Sequence, residues 1–182
     1  MDNGASSYRR FLDGEESAFD GIMQALFHST VFFINRYVQD LSAAEDIAMD
    51  VFADLIVHKH RYNFKVSLKT YVFMLARSRA LDYIKHRKVL EFVELSAAEL
   101  ADDGQDLEEK LLSDRRKQAV HSAIARLPRD MQLAVHMVYF EDMSYEDTAR
   151  VMKKNRKQVD NLLYRAKKEL RIILGEDGEQ LL

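Results

Sequence analysis

Apolar residues recur every three or four positions along most of this chain, which is the spacing of one face of an α-helix. The clearest run consists of Ala44, Ile47, Ala48, Val51, Phe52, Leu55 and Ile56. One proline and six glycines among 182 residues leave few of the turns that a strand-rich fold requires. The pattern therefore predicts an all-α protein.

Two helical blocks flank a segment of different composition. The first block comprises residues 1–88 and the second comprises residues 115–182. The segment between them, residues 89–114, contains nine acidic side chains, one basic side chain and few aromatic ones, which is typical of a flexible linker. We therefore expect two small helical domains joined by an acidic flexible linker, with four helices in the C-terminal domain.

The charge of the chain is unevenly distributed, and the net value of −3 conceals this. Residues 89–114 carry a net charge of −8, whereas residues 153–171 hold eight basic side chains and two acidic ones. A concentrated cluster of lysine and arginine is the usual footprint of a nucleic-acid-binding surface. In the free protein the acidic segment would either compete with DNA for the basic surface or act only as a solubilising spacer.

The second block contains the pattern of a helix-turn-helix. Ser144 is expected to cap a short helix, residues 153–155 to form a turn, and Asn155 to cap a longer helix in which Gln158 returns the hydrogen bond. Pro128 suits the first turn of a preceding helix, where its missing N–H costs nothing. A capped short helix before a turn favours DNA recognition over the commoner alternative, a basic face that contacts only water.

The longer helix has one apolar face and one polar face. The apolar positions are Val159, Leu162, Leu163, Ala166, Leu170 and Ile173. The polar face mixes cations, which bind phosphate, with amide and phenol groups, which can read base edges. The residues expected to contact bases or phosphates are Arg156, Lys157, Gln158, Asp160, Asn161, Tyr164, Arg165 and Lys168.

Several stretches of the chain resemble one known family. They are ARLPRDMQLAVHMVYFEDMSYEDTARVMKKNRKQVDNLLYRAKKELRIIL (Ala125–Leu174), SAAEDIAMDVFADLI (Ser42–Ile56), SLKTYVFMLARSRALDYIKHRK (Ser67–Lys88) and, more loosely, FLDGEESAFDGIM (Phe11–Met23). The chain resembles the sigma factors of bacterial RNA polymerase, specifically the small two-domain extracytoplasmic-function (ECF) type of the sigma-70 family. Two separate signatures in the right order are more specific than either alone.

The resemblance implies a role for each part of the chain. Residues 1–88 would be sigma region 2, which binds core polymerase and recognises and melts the minus-ten element. Residues 115–182 would be sigma region 4, which reads the minus-thirty-five element. The implied partners are RNA polymerase core enzyme, promoter DNA and an anti-sigma factor, with no cofactor. The polymerase would supply the catalysis, and the chain would be a monomer when free.

Three aspartates in the first block are spaced four residues apart. Asp46, Asp50 and Asp54 lie at i, i+4 and i+8, on one side of a helix. Like charges at this spacing weaken an isolated helix, which suggests either a basic partner or an ordinary face in contact with solvent. The family resemblance places core-polymerase binding on this helix, at the positions of Asp46 and Asp50. All three are therefore candidate core-binding residues.

The helix from Ser67 to Arg87 is basic, and five aromatic residues occur in or near it. Single-stranded DNA is typically held by cations that follow its phosphates and by rings on which its bases stack. Most of these aromatic residues must nevertheless be core, and Phe64 is the one expected to meet DNA because it lies in a break between helices. The candidate contacts with the minus-ten element are Phe64, Lys69, Arg77, Ser78, Lys85 and Arg87.

The chain departs from the family pattern at a few positions. Ser78 stands where asparagine is common, Lys153 stands where the turn often has glycine, and Asp160 stands where a basic residue is often found. The chain also lacks tryptophan, which the family often has at the position of Tyr71 and near Val57. These departures bear on which promoter sequence is read and not on the family resemblance.

Other functional classes have less support in the sequence. An enzyme or a metal site needs a convergent set of side chains, but the chain has no cysteine, and its six histidines are scattered. One open alternative is a helix-turn-helix regulator with a helical dimerisation or sensing domain, which would be a stable dimer. Another is a helical adaptor that binds only protein. Because no apolar run approaches about 20 residues and no signal-like stretch begins the chain, we expect a cytoplasmic protein without membrane insertion.

Overall fold

The computed structural model describes residues 4–94 and 115–174, and these residues form eight α-helices and no strand. The prediction of an all-α fold is therefore confirmed. The chain divides into two compact units, Met1–Gly104 and Gln105–Leu182, which we call unit 1 and unit 2. The acidic stretch expected to be a flexible linker lies largely outside the described residues. Across the two described ranges, every helix is too short or too polar to span a bilayer.

Unit 1 is built from α1 (Ala5–Leu12), α2 (Ser17–Val38), α3 (Leu41–Val57) and α4 (Leu68–Glu94). The long helix α2 packs against the other three, and α3 also packs against α4. Large apolar side chains fill the space between these helices, and this burial is the main driving force for folding. The largest fully buried ones are Tyr8, Phe33, Ile34, Val51, Phe52, Leu68, Val72 and Phe73.

Tyr8 fixes the short helix α1 to the rest of unit 1. Its ring is fully buried, and its hydroxyl lies 3.0 Å from the carbonyl oxygens of both Leu55 and Lys59, to which it can donate. These carbonyls belong to the end of α3 and the helical turn after it, where backbone acceptors lack partners of their own. Burial raises the pKa of Tyr8 to about 12.

This buried phenol is expected to make unit 1 sensitive to alkaline pH. The folded pKa lies above the ordinary value of 10.0, so the unfolded chain loses the proton first, and folding stability falls as pH rises from about 10 to about 12. The difference between the folded and unfolded pKa corresponds to about 2.7 kcal/mol. Tyr8→Phe should lower the free energy of unfolding by about 1–3 kcal/mol at pH 8. This difference from the wild type should vanish by about pH 12. Urea unfolding followed by circular dichroism measures it; a deficit independent of pH would contradict the prediction.

Two helix boundaries in unit 1 differ from those expected. The capping-box pattern of Ser42 and Glu45 predicts a cap at Ser42. Helix α3 is instead capped by Asp40, whose carboxylate accepts a hydrogen bond from the Ala43 amide at 3.0 Å, and Ser42 lies inside the first turn. Asp40 is the residue with an extended backbone, which a capping residue requires. Helix α4 continues to Glu94, past the expected end near Arg87, because no glycine or proline interrupts the sequence there.

Unit 2 contains α5 (Arg115–Ala125), α6 (Arg129–Val135), α7 (Tyr145–Met152) and α8 (Arg156–Leu174). Pro128 stands directly before α6, which continues into a π-helical turn at His136–Phe140. Helix α8 packs against α5, α6 and α7, so it is the central helix of the unit. The predicted four-helix domain is confirmed. Its buried apolar residues include Met131, Leu133, Met137, Val151, Val159, Leu163 and Leu170.

Candidate nucleic-acid interface

The connection between α7 and α8 is held by hydrogen bonds at both helix starts. The Ser144 hydroxyl accepts a hydrogen bond from the Asp147 amide at 3.0 Å. Asn155 and Gln158 cap α8 reciprocally: the Asn155 side chain accepts from the Gln158 amide at 2.9 Å, and the Gln158 side chain accepts from the Asn155 amide at 2.8 Å. Both predicted caps are confirmed. They fix the angle at which α8 leaves the turn.

The turn itself contains a backbone conformation that favours glycine. Lys153 ends α7 in the left-handed region, with φ of 53°. This explains why glycine is frequent at the position, since any other residue there is strained by about 1–2 kcal/mol. Lys154, the next residue, forms an ion pair of 3.0 Å with Asp130. The turn therefore keeps its shape through contacts within unit 2.

Helix α8 presents its polar face to solvent. All eight predicted DNA contacts on it are exposed, whereas Val159, Leu163, Ala166 and Leu170 are buried against unit 2. Tyr164 is 72% exposed, so its ring contributes little to the core. The arrangement leaves cations, amides and a phenol on a rigid helix that can enter the major groove.

Two residues of this face also have structural partners. The Arg156 Nε atom lies 3.1 Å from the Glu146 carboxylate on α7, and this contact orients the guanidinium. Gln158 uses its side-chain oxygen in the cap, so only its NH₂ group remains to meet a base. Glu146 was not predicted from the sequence, because its proximity to Arg156 depends on the geometry of the turn.

The aspartates of α3 divide into two kinds. Asp46 and Asp50 are exposed, and in the described ranges neither pairs with a cation. Asp54 is 13% exposed in its side chain and lies within 4 Å of three basic groups. Its Oδ1 atom is 3.3 Å from Arg79, 3.4 Å from His58 and 3.7 Å from Arg61. Spacing alone suggested one stripe of three, but Asp54 serves to join α3 to α4.

Exposed apolar residues lie beside Asp46 and Asp50 on α3. Met49 is 53% exposed and Val57 is 73% exposed. These positions share a helix face with Asp46 and Asp50, because α-helical residues three, four, seven or eleven apart lie on one side. Exposed apolar side chains beside charges are typical of a surface that binds another protein. The sequence pattern does not single them out, because apolar side chains in an amphipathic helix are expected to be buried.

The candidate minus-ten contacts on α4 do not share one face. Ser78 and Lys85 are two helical turns apart and both exposed, so they lie on the same solvent side. Lys69 lies on the opposite side of α4 from Ser78. Lys69 and Arg77 are both half-buried. Arg87 is exposed but follows the direction of Lys69 around the helix.

Phe64 lies in the connection before α4 and is half-buried among aromatic side chains. Its ring centroid is 4.5 Å from that of Tyr62 and 6.3 Å from that of Tyr8. The Arg9 guanidinium lies over the same ring, 5.0 Å from its centroid. The ring of Tyr71 packs against that of Tyr62, and burial raises the pKa of both phenols. The expected break between helices is therefore a packed aromatic loop.

A rigid helix-turn-helix with an exposed cationic face, accompanied by a second helical unit, defines a sequence-reading DNA-binding protein. Residues 29–89 match the family model described as Sigma-70 region 2, and residues 117–170 match the one described as Sigma-70, region 4. The two matches together cover more than half of the chain and leave α1 and the acidic stretch outside them. The chain belongs to the sigma-70 family and is a sigma factor of the ECF type.

Curated relatives and solved structures agree with this assignment. The RNA polymerase sigma-H factor of Pseudomonas aeruginosa is 26% identical over 168 residues, covering 86% of each chain. The ECF RNA polymerase sigma-E factor of Escherichia coli K12 is 23% identical over 152 residues, covering 79% of each. The sigma factor RpoE of Bartonella quintana, solved with the anti-sigma factor NepR, has the same fold, with a TM-score of 0.68, 19% identity and coverage of 87% of this chain and 98% of that one.

A sigma factor directs RNA polymerase core enzyme to promoters and so starts transcription at specific sites. Membership of the family assigns this function to the chain, with core enzyme and promoter DNA as its partners. The alternatives, a dimeric regulator and an adaptor that binds only protein, have no comparable support, because both halves match sigma regions in the family's order.

Proposed function

We propose that the two units divide promoter recognition between them. Residues 1–88 act as region 2, which binds core polymerase and recognises and melts the minus-ten element. Residues 115–182 act as region 4, in which α8 reads the minus-thirty-five element. The polar face of α8, exposed beside two firm caps, is the observation that carries the proposal. The polymerase carries out the chemistry, and the chain acts in the cytoplasm as a monomer when free.

Helix α8 suits the major groove in a particular orientation. Residues near the start of a recognition helix reach base edges, whereas later residues reach phosphates. Arg156, oriented by Glu146, and Asn161 have the groups for bidentate contacts with guanine and adenine. Asp160 can accept a hydrogen bond from a cytosine amino group. Lys168, further along α8, is placed to contact the phosphate backbone.

Alanine substitutions on α8 should separate base reading from phosphate binding. Arg156→Ala and Asn161→Ala should each lower transcription from a matched promoter by the equivalent of about 1–3 kcal/mol, because each removes a bidentate base contact. Lys168→Ala should weaken binding to all sequences alike and reduce the salt dependence by about one phosphate contact. Run-off transcription over a range of salt concentrations measures both effects. Wild-type rates for all three variants would exclude this face.

The function as a whole is tested with purified components. Run-off transcription with core enzyme on a promoter library should give initiation at a subset of sequences that share two elements. Size-exclusion chromatography should give a monomer alone and a larger complex with core enzyme. A stable dimer that binds a palindromic site without polymerase would instead indicate the helix-turn-helix regulator.

The face of α3 is the proposed core-binding surface of unit 1. Asp46 and Asp50 supply negative charge, and Met49 and Val57 supply apolar surface that is exposed to solvent. Such a combination resembles protein interfaces, in which a charged rim surrounds an apolar centre. Asp54 is left out of this surface, because its carboxylate is already engaged by His58, Arg61 and Arg79.

An anti-sigma factor is a further proposed partner. The sigma factor RpoE of Bartonella quintana was solved with the anti-sigma factor NepR, and CnrH was solved with the cytosolic domain of CnrY. CnrH has a TM-score of 0.60 to this chain, with 15% identity and coverage of 96% of both. We propose that a protein of this kind occupies exposed apolar surface on the free chain. Co-purification from cells at native expression levels would test this.

A further inference from the structure

Phe64 has a strained backbone that the surrounding structure holds in place. Its φ of 60° lies in the left-handed region, which a bulky residue rarely adopts. Such strain persists only where neighbouring contacts impose it, and it occurs preferentially at functional sites. The contacts here are the rings of Tyr8 and Tyr62 and the guanidinium of Arg9. Tyr8 and Tyr62 are buried, so Arg9 is the contact that solvent can reach.

The two arginines of α1 are in different electrostatic states. Arg10 forms two hydrogen bonds with the Glu15 carboxylate, one of them from Nε at 2.7 Å, so its charge is compensated within the protein. Arg9 is exposed, and in the described part of unit 1 its guanidinium contacts the Phe64 ring rather than a carboxylate. A guanidinium held over an aromatic ring keeps its charge and its planar surface available to a ligand.

The loop that contains Phe64 has a cationic surface. Lys65, whose amide donates to the Asn63 side chain at 3.1 Å, is exposed in the same loop. Lys59 lies over the ring of Phe11 at 5.9 Å, and so brings another cation to the aromatic residues that surround Tyr8. Rings and planar cations in a positive environment are what single-stranded DNA binds.

We propose that Arg9 is a further DNA-contacting residue of unit 1, whose guanidinium, supported by Phe64, stacks on an unpaired base of the melted promoter strand. This rests on the proposed role of unit 1 at the minus-ten element. Three side chains already pack against the Phe64 ring, so the base stacks on Arg9 and Phe64 acts as its support. Unpaired bases stack on arginine planes as well as on aromatic rings.

The test uses holoenzyme assembled from core polymerase and full-length variants. Arg9→Ala should lower open-complex formation about tenfold, within the range of one lost base stack. Arg9→Lys should lose most of the same activity, because it keeps the charge but not the plane. Arg10→Ala is the matched control and should behave as wild type. A fluorescent adenine analogue placed at each position of the minus-ten element should report one base that becomes unstacked only in the Arg9 variants.

The outcomes separate this inference from the function on which it rests. Wild-type opening by both Arg9 variants overturns the inference, as does an equal loss in Arg10→Ala. Wild-type opening by Arg9→Lys alone also overturns base stacking and leaves a phosphate contact instead. In each case the wild-type chain still transcribes, whereas absent transcription by wild-type holoenzyme removes the proposed function itself. If Arg9→Ala lowers the melting temperature, Arg9→Lys, which keeps the aliphatic stem over Phe64, decides the result.

Discussion

Asp46→Lys combined with Asp50→Lys is expected to abolish co-purification of the chain with core polymerase while leaving its melting temperature unchanged. Both side chains are exposed and lack a pairing cation in the described ranges, so their replacement disturbs no contact within unit 1. At a complementary interface the two substitutions reverse the charge, and like charges facing each other cost several kcal/mol.

The chain offers a control matched in charge and spacing. Glu16 and Asp20 are also exposed acids four residues apart, at the start of α2. Glu16→Lys combined with Asp20→Lys adds the same charge elsewhere on unit 1 and should leave core binding intact. Undiminished co-purification by a folded Asp46/Asp50 variant would show that these residues only contact solvent.

Phe73→Ala should cause the largest loss of stability among single substitutions in α4. The ring is fully buried, and its centroid lies 4.9 Å from that of Phe33 on α2. Removing a buried phenylalanine ring lowers the free energy of unfolding by about 3–5 kcal/mol, because hydrophobic transfer energy is lost and a cavity is left behind. The free energy of unfolding of a typical domain is only about 5–15 kcal/mol. Urea unfolding followed by circular dichroism measures the change.

Met74, the next residue, provides the comparison. Its side chain is 41% exposed, and Met74→Ala should change stability by no more than about 0.5 kcal/mol. Comparing the two variants tests whether Phe73 is a core residue of unit 1. A loss below about 1 kcal/mol for Phe73→Ala would mean that the ring contributes little to the packing of α2 on α4.

The elements of the fold could be predicted because burial follows helical periodicity, which is a local property. The caps at Ser144 and Asn155 could be predicted for the same reason, since each donor and acceptor lie three residues apart. The start of α3 was misplaced because both Asp40 and Ser42 are good caps, and only the backbone at Asp40 is extended.

The roles of single side chains were harder to predict, because they depend on contacts between distant parts of the chain. Asp54 looked identical to Asp46 and Asp50 in spacing, yet Arg79 reaches it from 25 residues away. Ser78 and Lys69 were grouped by composition, although α4 turns them to opposite sides. Arg9 could not be predicted as a contact, because nothing in the sequence places it over Phe64.

The separation on α8 between residues that stabilise the fold and residues that face solvent bears on how promoter preference could diverge during evolution. The fold of unit 2 depends on the inward residues and the two caps, whereas Asn161 and Tyr164 have little part in packing. Substitutions at these two positions can therefore change the DNA sequence that is read at small cost in stability. Arg156 contacts Glu146 and Gln158 caps the helix with Asn155, so substitutions at these two residues also disturb the fold of unit 2. New sequence preferences should therefore arise first at the positions of α8 that make no such contact.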